Sequence, residues 1–415
     1  MPTVLVIGAF DTKGAEYDFL LRQVAPQGCG VLTMNVGVMG TTDLFPVDVE
    51  ADEVARAGGA ELGTLRAAKD RGEAMKAMSR GAAAVVRRLF DERRFDGIIG
   101  MGGTGGTSVI AAAMRTLPVG VPKVCVSTAA GANTAAYVGI SDVVLVPSIV
   151  DVSGLNRVSR LIMTRAAGAV CGMVRAVPRE EEGAAKKVIA ASMFGNTTAC
   201  VDACRAALEQ KGYEVLVFHA TGTGGRTMEA LVDQGLVDAV LDITTTEWAD
   251  EVCGGVFSAG ADRLAAPGRR GLPHLVAPGC VDMVNFGPLD TVPEHYRRAG
   301  RKLYEWNPSV TLMRTNLEEN KRMGEMFAER LNASTGPVAV LLPTRGVSIL
   351  DGEGQPFCDR DADHAMFVTL RSRLRPDIPV IDVDANINDP AFSAKAVEVM
   401  LRLIDEKKGS DHGVH

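Results

Sequence analysis

The sequence predicts an α/β protein with mainly parallel sheets, folded as two domains. Short runs rich in Val, Ile and Leu alternate with longer segments of helical period, which is the pattern of βαβ units. The chain has 415 residues, 47% hydrophobic and 23% charged, which suits two packed globular domains. A proline, a charge run and a glycine interrupt the pattern at 178–183. We therefore predict domains at 1–183 and 184–409 and a tail at 410–415, the alternative being a solvated loop within one domain.

Each predicted strand is a short apolar run bounded by turn residues. In the first domain these runs are Val4–Gly8, Val31–Val36, Gly97–Met101, Lys123–Thr128 and Val143–Pro147. In the second they are Val188–Ser192, Glu214–His219, Ala239–Thr244, His274–Ala277, Val310–Arg314, Val338–Leu342 and Val380–Val383. Helical periodicity predicts two long helices within Glu61–Arg94, an amphipathic helix after Val152 and a C-terminal helix over Pro390–Lys407.

Charge and composition exclude several classes of partner. Lys and Arg number 44 against 51 Asp and Glu, a net charge of −7, which opposes nucleic acid and anionic membrane surfaces. No run approaches the roughly 18 apolar residues that a membrane helix needs. The eight cysteines form no CxxC pair and sit mostly in apolar runs, as reduced thiols do. We expect a cytoplasmic protein with neither nucleic acid nor membrane as its partner.

The segment Gly100–Ser108 is the sharpest motif in the chain. It follows a predicted strand and opens an apolar helix, so its glycine amides and the helix N-terminus can cradle a phosphate. Glycines that merely permit a tight turn between strand and helix are the alternative. Gly100, Gly102 and Gly105 also match GxGxxG, but the next acidic residue is Asp142, too distant to anchor the ribose of NAD. NAD is therefore disfavoured, and no Walker A loop is present.

Two further loops of the first domain offer phosphate ligands. Asp11, Thr12 and Lys13 follow the first strand and supply a carboxylate, a hydroxyl and a cation. Asp11 can hold a hydrated Mg²⁺ and Lys13 can neutralise phosphate, although a helix cap at Asp11 or Thr12 explains the motif equally well. The loop Ser127–Thr134, which includes Gly131, follows the fourth strand and adds hydroxyl and amide donors.

The second domain carries the candidate catalytic side chains. His219 ends a strand beside the loop Thr221–Thr227 and is either a general base or a buried, hydrogen-bonded histidine. Arg226 in that loop can bind an anionic group through its forked guanidinium. Glu247 follows the next strand and either shares the rim with His219 or caps a helix. We expect Pro278–Gly287, with Cys280 and Asp282, to be a further loop facing the cleft.

The motifs at these strand ends resemble a known family. They are Gly8–Lys13, Gly102–Ser108, Val146–Val152, Phe218–Arg226, Leu241–Glu247, Asp282–Pro288, Leu312–Thr315 and Ile387–Asp389. Together they resemble the ATP-binding domain family of the tomato tobamovirus-resistance protein and its bacterial relatives, over residues 1 to about 407. The resemblance implies two Rossmann-like domains, ATP at the first and a homodimer or higher homo-oligomer. The plant member's antiviral role, binding a viral replication protein, is not carried over.

These observations define one predicted site in each domain. The nucleotide site, for ATP with Mg²⁺, comprises Asp11, Thr12, Lys13, Gly102, Gly103, Thr104, Gly105, Gly106, Thr107, Ser127 and Gly131, with Asp11 also the metal ligand. The catalytic set is His219, Glu247 and Arg226. The favoured function is an ATP-binding enzyme that acts on a small anionic metabolite in a cleft between the domains. The rival is a non-catalytic nucleotide-binding module that regulates a partner protein.

Overall fold

The computed structural model describes residues 1–131, 133–176 and 186–412. The chain divides into two compact units, Met1–Glu182 and Gly183–His415. The predicted boundary at 178–183 lies outside the described residues. No helix in the described part of the chain has the length and apolar character needed to cross a bilayer.

The first unit is a five-stranded parallel sheet with the strand order β2-β1-β3-β4-β5. Its strands are β1 (Thr3–Gly8), β2 (Gly30–Asn35), β3 (Gly97–Gly102), β4 (Lys123–Ser127) and β5 (Val144–Pro147). Its helices are α1 (Phe10–Val24), α2 (Ala51–Ala57), α3 (Leu62–Ala68), α4 (Arg71–Asp91), α5 (Thr104–Met114), α6 (Ala135–Val138) and α7 (Arg157–Arg175). All five strands lie within two residues of their predicted bounds.

Helices cover both faces of this sheet because its strands are apolar on both sides. Val4 and Val6 pack in one buried cluster with residues of α1 and α7. Leu5 and Ile7, which point to the opposite face, pack in a second cluster with residues of α4 and α5. A parallel sheet buried on both faces needs such continuous apolar runs.

The second unit contains a larger parallel sheet with the order β14-β13-β9-β8-β6-β7. Its parallel strands are β6 (Val188–Met193), β7 (Glu214–His219), β8 (Ala239–Thr244), β9 (His274–Gly279), β13 (Val338–Pro343) and β14 (Val380–Val383). Its helices are α8 (Thr198–Glu209), α9 (Thr223–Asp233), α10 (Glu247–Cys253), α11 (Ala266–Arg269), α12 (Glu294–Arg298), α13 (Leu317–Asn332), α14 (Arg360–Arg373) and α15 (Pro390–His412).

The two parallel sheets share one topology. In each, the first strand lies between the second and the third, so the chain reverses its direction of winding beside the first strand. Such a switch point opens a crevice at the carboxyl ends of the strands, where doubly wound sheets bind ligands. The switch point lies between β1 and β3 in the first unit and between β6 and β8 in the second. The predicted α/β class with mainly parallel sheets is confirmed.

A small antiparallel sheet in the second unit was not predicted. It consists of β10 (Met283–Phe286), β11 (Leu303–Asn307) and β12 (Val310–Arg314), in the order β10-β12-β11. The expectation that Pro278–Gly287 is a loop is wrong, because β9 extends to Gly279 and β10 follows. Val310–Arg314 is a strand as predicted, but it pairs antiparallel outside the main sheet. A short apolar run carries no information about the direction of its partner.

The helix predictions need two corrections. Glu61–Arg94 holds one short helix, α3, and one long helix, α4, because the chain turns at Lys69 with a left-handed φ of 52°. Asp70 then caps α4 by accepting a hydrogen bond from the Glu73 amide. The C-terminal helix continues past Lys407 to His412, into the predicted tail, whose last three residues are not described.

Glycine permits the close contact between α2 and α4. A Cβ at Gly81 would lie 1.8 Å from the Val54 carbonyl oxygen, so Gly81→Ala must push the two helices apart. We expect this substitution to lower the free energy of unfolding by about 1–3 kcal/mol or more. Gly172→Ala in α7 is the control: its Cβ meets no atom within 4 Å, so stability should rise by about 0.5–1 kcal/mol. Chemical denaturation measures both, and an equal response would refute the packing argument.

Candidate functional site

The first unit contains a pocket of about 470 Å³ at the carboxyl ends of β1, β2 and β3. It lies at the switch point of the sheet. The lining residues are Ala9, Asp11, Thr12, Lys13, Val36, Gly37, Val38, Arg71, Met75, Met101, Gly102, Gly103, Thr104, Gly105, Gly106, Val109 and Asp151. Backbone amides, cations and carboxylates therefore meet around one space.

The glycine-rich loop forms one wall of this pocket and begins α5. Gly103 is the N-cap and offers no side-chain acceptor to the first amides of the helix. A Cβ at Gly106 would meet no atom within 4 Å, and the nearest atom to a Cβ at Gly105 is Arg71 Nη2 at 3.2 Å. Packing does not demand glycine at these two positions. Their missing side chains instead leave the amides at the helix N-terminus open to an anion.

The pocket's charged side chains come from separate elements. The Oδ2 atom of Asp11 accepts a hydrogen bond of 2.8 Å from the Met39 amide, which ties the loop after β2 to the start of α1. Lys13 donates through Nζ to the Val152 carbonyl oxygen. Arg71 is the first residue of α4, and its side chain is exposed beside Gly105. Two cations thus lie near the open amides.

Asp11 fits the requirements of a magnesium ligand. Its Oδ1 atom is buried and has no hydrogen-bond partner within the described ranges. Mg²⁺ keeps several waters and takes one or two carboxylates together with substrate phosphates. No group of three or more His, Cys, Asp or Glu side chains forms a metal cage in the part of the chain that the structure describes. The Asp11 carboxylate, on the pocket lining, therefore suits an ion that is held jointly by Asp11 and a phosphate.

Three of the predicted nucleotide-binding residues lie outside the pocket lining. Thr107 and Ser127 are buried, and their hydroxyl oxygens lie 2.7 Å apart in a mutual hydrogen bond. This bond joins α5 to the end of β4. Gly131 is exposed in the loop after β4. Conversely, the predicted set omitted Arg71, which no local motif marks, and Asp151, although Asp151 lies in the motif Val146–Val152.

The second unit contains a smaller pocket of about 240 Å³ near the end of β7. Its walls come from the segment after β6, from the end of β7 and from the antiparallel sheet. The lining residues are Phe194, Gly195, Asn196, His219, Thr221, Phe257, Trp306, Asn307, Val310 and Leu312. The lining is mainly apolar and aromatic, in contrast to the charged pocket of the first unit.

His219 is an exposed residue on the wall of this pocket. Its ring packs edge-on against Phe194, with a centroid distance of 5.3 Å. The backbone at His219 is tightly enclosed, because a Cβ at Gly224 would lie 1.8 Å from the His219 carbonyl oxygen. The histidine is thus held at the strand end with its side chain accessible. Arg226 is exposed on α9 and does not line the pocket.

Glu247 is a buried anchor for the loop that follows His219. Its Oε1 atom accepts hydrogen bonds from the amides of Gly222 and Gly225, at 2.8 and 3.0 Å. Its Oε2 atom pairs with Arg263 Nε at 2.7 Å. The strands that precede His219 and Glu247 are parallel but not adjacent, because β6 lies between them. Glu247 therefore contacts the segment that follows His219 and does not stand beside His219 at the end of an adjacent strand.

Arg263 is the centre of this buried network and was not among the predicted site residues. The side chain is 1% exposed and donates two hydrogen bonds of 2.5 Å to the Asp242 carboxylate. Burial alone would raise the pKa of Asp242, but the charge and hydrogen bonds of Arg263 hold it below its usual range. Glu229, which also contacts Arg263, caps the start of α11 by accepting from the amides of Leu264 and Ala266. No short motif surrounds Arg263 in the sequence.

Asp250, one turn into α10, is a second buried carboxyl group near this network. It accepts hydrogen bonds from the Phe257 amide and from the amide and side chain of Asn285. Burial raises its pKa to about 7 despite these donors, and the charge of Glu247 adds to the increase. The Oδ1 atom of Asn285 has no partner among the residues described. A rotated Asn285 amide would accept a hydrogen bond from protonated Asp250.

Comparison with known protein families identifies both units. The family described as "Uncharacterised protein family (UPF0261) N-terminal domain" matches residues 2–179. The corresponding C-terminal domain matches residues 186–404. The two matches together span most of the chain.

Several relatives align along nearly the whole chain. A UPF0261 protein of Clostridium tetani is 44% identical over 404 residues, which cover 97% of this chain and 99% of the relative. A UPF0261 protein of Rhizobium meliloti is 45% identical over 399 residues, with 96% and 98% covered. The tomato ToMV resistance protein Tm-1 is 38% identical over an alignment of 426 positions, which covers 97% of this chain but 56% of the tomato protein. The predicted resemblance to this family is confirmed.

Solved structures provide only a weak likeness. A UDP-N-acetylglucosamine 2-epimerase from Rickettsia bellii aligns over 98% of both chains, at 10% identity and a TM-score of 0.24. This score is too low to support any inference about fold or function. The fold assignment therefore rests on the strand order and the parallel pairing described above.

The raised pKa of Asp250 predicts a pH-dependent stability. The usual pKa of a carboxyl group is near 4. Between about pH 4 and 7, Asp250 is therefore protonated in the folded protein and ionised in the unfolded protein. Raising the pH across this range should lower the contribution of Asp250 to the free energy of unfolding, by up to about 1.4 kcal/mol per pH unit. Asp250→Asn should remove this component. Urea denaturation of both proteins at several pH values measures the difference, and parallel pH profiles would contradict the prediction.

Proposed function

The chain belongs to the UPF0261 family, and we propose that its first unit binds ATP, with Mg²⁺, in the pocket at the β1/β3 switch point. The observation that carries the proposal is the convergence of open α5 amides with Lys13, Arg71 and Asp11 around one pocket. Its volume of about 470 Å³ lies within the usual range for small-molecule and cofactor sites. Nucleic acid and membrane are not proposed as partners.

The phosphates of the nucleotide bind at the N-terminus of α5. The Gly105 and Gly106 amides donate to phosphate oxygens, and the helix dipole favours the negative charge. Arg71 extends over Gly105 and can clamp a phosphate through its planar guanidinium. Asp11, on the pocket lining, would hold the metal ion through its carboxylate, and the ion would neutralise phosphate charge when bound. Thr107 and Ser127 support the loop from behind through their mutual hydrogen bond.

The second unit supplies the candidate chemistry. We assign His219 as the general base acting on a small anionic metabolite, because its side chain is accessible on a pocket wall at a strand end. Glu247 acts as a positioning residue, since its carboxylate holds the two glycine amides of the following loop. Arg226 is an exposed cation on α9 that can attract the anion. We therefore propose that the protein is a cytoplasmic enzyme that forms a homo-oligomer.

A non-catalytic nucleotide-binding module that regulates a partner protein is the second candidate. One observation favours it: Arg226 and Glu247 do not line the pocket that contains His219. The remaining polar side chains of that pocket are few. A demonstration of turnover separates the two functions.

Substitutions in the first pocket test the nucleotide site. Gly105→Val should weaken ATP binding by tenfold or more, because the new side chain occupies the space between the α5 amides and Arg71. Arg71→Ala should weaken it similarly by removing a charged contact. Arg87→Ala, an exposed arginine on the same helix, is the matched control and should have no effect. Calorimetric titration with ATP and Mg²⁺ provides the affinities. Unchanged affinity in a folded Gly105→Val protein, or tighter binding of NAD than of ATP, would refute the assignment.

The role of His219 is tested by His219→Asn. We expect turnover to be lost while ATP affinity is unchanged, because the nucleotide pocket is built entirely from first-unit residues. Wild-type protein is first incubated with ATP and a panel of small carboxylic and phosphorylated acids, and loss of each acid is followed by mass spectrometry. The variant is then assayed on any acid consumed. Full activity of the variant would remove His219 from the mechanism, and ATP-dependent capture of a partner protein without turnover would favour the regulatory module.

A further inference from the structure

We propose that the pocket beside His219 binds a small aromatic acid whose ring carries a hydrogen-bond donor, such as a hydroxyl group. The inference names the class of metabolite on which the proposed enzyme would act, so its relevance to catalysis rests on the proposed function. The walls, size and polar groups of the pocket support binding of the ring whether or not the protein is an enzyme.

The walls are suited to a planar apolar group. Phe194 packs edge-on against both His219 and Phe257, with ring centroids 5.3 and 6.2 Å apart. Trp306, on β11, adds an indole ring that is 47% exposed, and Leu312 lines the pocket from β12. Aromatic side chains prefer offset or edge-to-face contact with another ring. Three aromatic side chains around one space therefore favour an aromatic guest.

The size of the pocket limits that guest to about one substituted ring. Its volume is about 240 Å³. An apolar protein cavity of about 150 Å³ accommodates benzene. The additional space suffices for a carboxylate and a hydroxyl group on the ring, and it is too small for a nucleotide. This pocket therefore binds a different class of ligand from the larger pocket at the β1/β3 switch point of the first unit.

Asn196 supplies the observation that calls for a donor on the ligand. It lines the pocket and is 1% exposed, and its Oδ1 atom has no hydrogen-bond partner in the described ranges. Leaving a buried acceptor unpaired costs about 1–3 kcal/mol. The backbone of Asn196 is held in place, because its carbonyl oxygen accepts a hydrogen bond from Asn388 Nδ2 at 2.9 Å. The Asn196 Nδ2 atom donates only a long hydrogen bond of 3.5 Å to Met283 Sδ. Rotation of the amide can therefore bring the buried Oδ1 to the pocket surface, where a hydroxyl group on the bound ring would satisfy it.

The acid group of the ligand is assigned to the side of the pocket formed by His219 and Thr221. Both are polar residues of the lining at the end of β7. The His219 ring can donate an N–H hydrogen bond to a carboxylate. The Thr221 hydroxyl donates to the His219 carbonyl oxygen at 3.3 Å and can turn to the carboxylate instead. The Thr221 amide donates to the His219 carbonyl oxygen at 2.8 Å, which keeps the two residues together. The ring then lies between Asn196 and this polar end.

Calorimetric titration of the full chain without ATP tests the proposal. The probes are the three hydroxybenzoate isomers, benzoate and acetate. We expect at least one hydroxybenzoate to bind, benzoate to bind about tenfold more weakly than it, and acetate not to bind. Trp306→Ala should weaken the best isomer tenfold or more, whereas Trp306→Phe should retain affinity within about threefold. Val256→Ala, at an exposed apolar position outside the pocket, should change nothing.

Asn196→Leu tests the polar contact. In this variant the best hydroxybenzoate and benzoate should bind equally, because the acceptor is gone. The Trp306 variants keep the proposal testable even if Asn196→Leu does not fold, since Trp306 is half exposed. Absence of binding by all aromatic probes, or binding that Trp306→Ala leaves unchanged, overturns the inference.

The two proposals fail in different ways. Aromatic acids that bind in the predicted order but are not consumed with ATP support this inference and refute the proposed enzyme. Consumption of a non-aromatic acid that requires His219, without hydroxybenzoate binding, supports the enzyme and refutes the aromatic ligand.

Discussion

One buried arginine organises the carboxyl-end edge of the second unit. Arg263 joins Asp242 on β8 to Glu247 at the start of α10. Glu247 in turn holds the amides of Gly222, the N-cap of α9, and Gly225, in the first turn of α9. Placing these charges in the interior is costly, and the cost is offset only while every partner is present. Loss of Arg263 would leave buried carboxylates uncompensated. The position of His219 therefore depends on the ion pair between Arg263 and Glu247, neither of which lines the pocket.

The two units use the same sheet topology in different ways. In the first unit the crevice at the switch point stays open, with exposed Arg71 and Asp151 beside half-buried Asp11 and Lys13. In the second unit, buried polar side chains fill the ends of β6 and β8, and the added antiparallel sheet supplies apolar walls such as Trp306. One crevice is charged and suited to phosphate, whereas the other pocket is aromatic. The common fold thus accounts for where each pocket lies, and local side chains decide its chemistry.

Prediction from sequence succeeded where a feature is local in the chain. The apolar runs located the strands of both parallel sheets. The glycine-rich segment Gly102–Gly106, which a contiguous motif marks, lies on the lining of the first pocket. It failed where distant segments meet. Arg71 lies more than 30 residues before Gly105, and Arg263 contacts Asp242 from a loop without a motif. Trp306 reaches the second pocket only through an antiparallel strand that the βαβ pattern did not predict.

The sequence by itself determined the α/β class, the positions of the parallel strands and the family, because hydrophobic periodicity and contiguous motifs are properties of neighbouring residues. The tertiary structure decided which of those motif residues face a ligand. The Thr107 and Ser127 hydroxyl groups are buried and hydrogen-bonded to each other, and the buried Glu247 carboxylate pairs with Arg263. The physical reason is that a polar side chain takes whatever partner the fold brings within hydrogen-bond distance. Those partners are separated in sequence and become neighbours only when the sheet assembles.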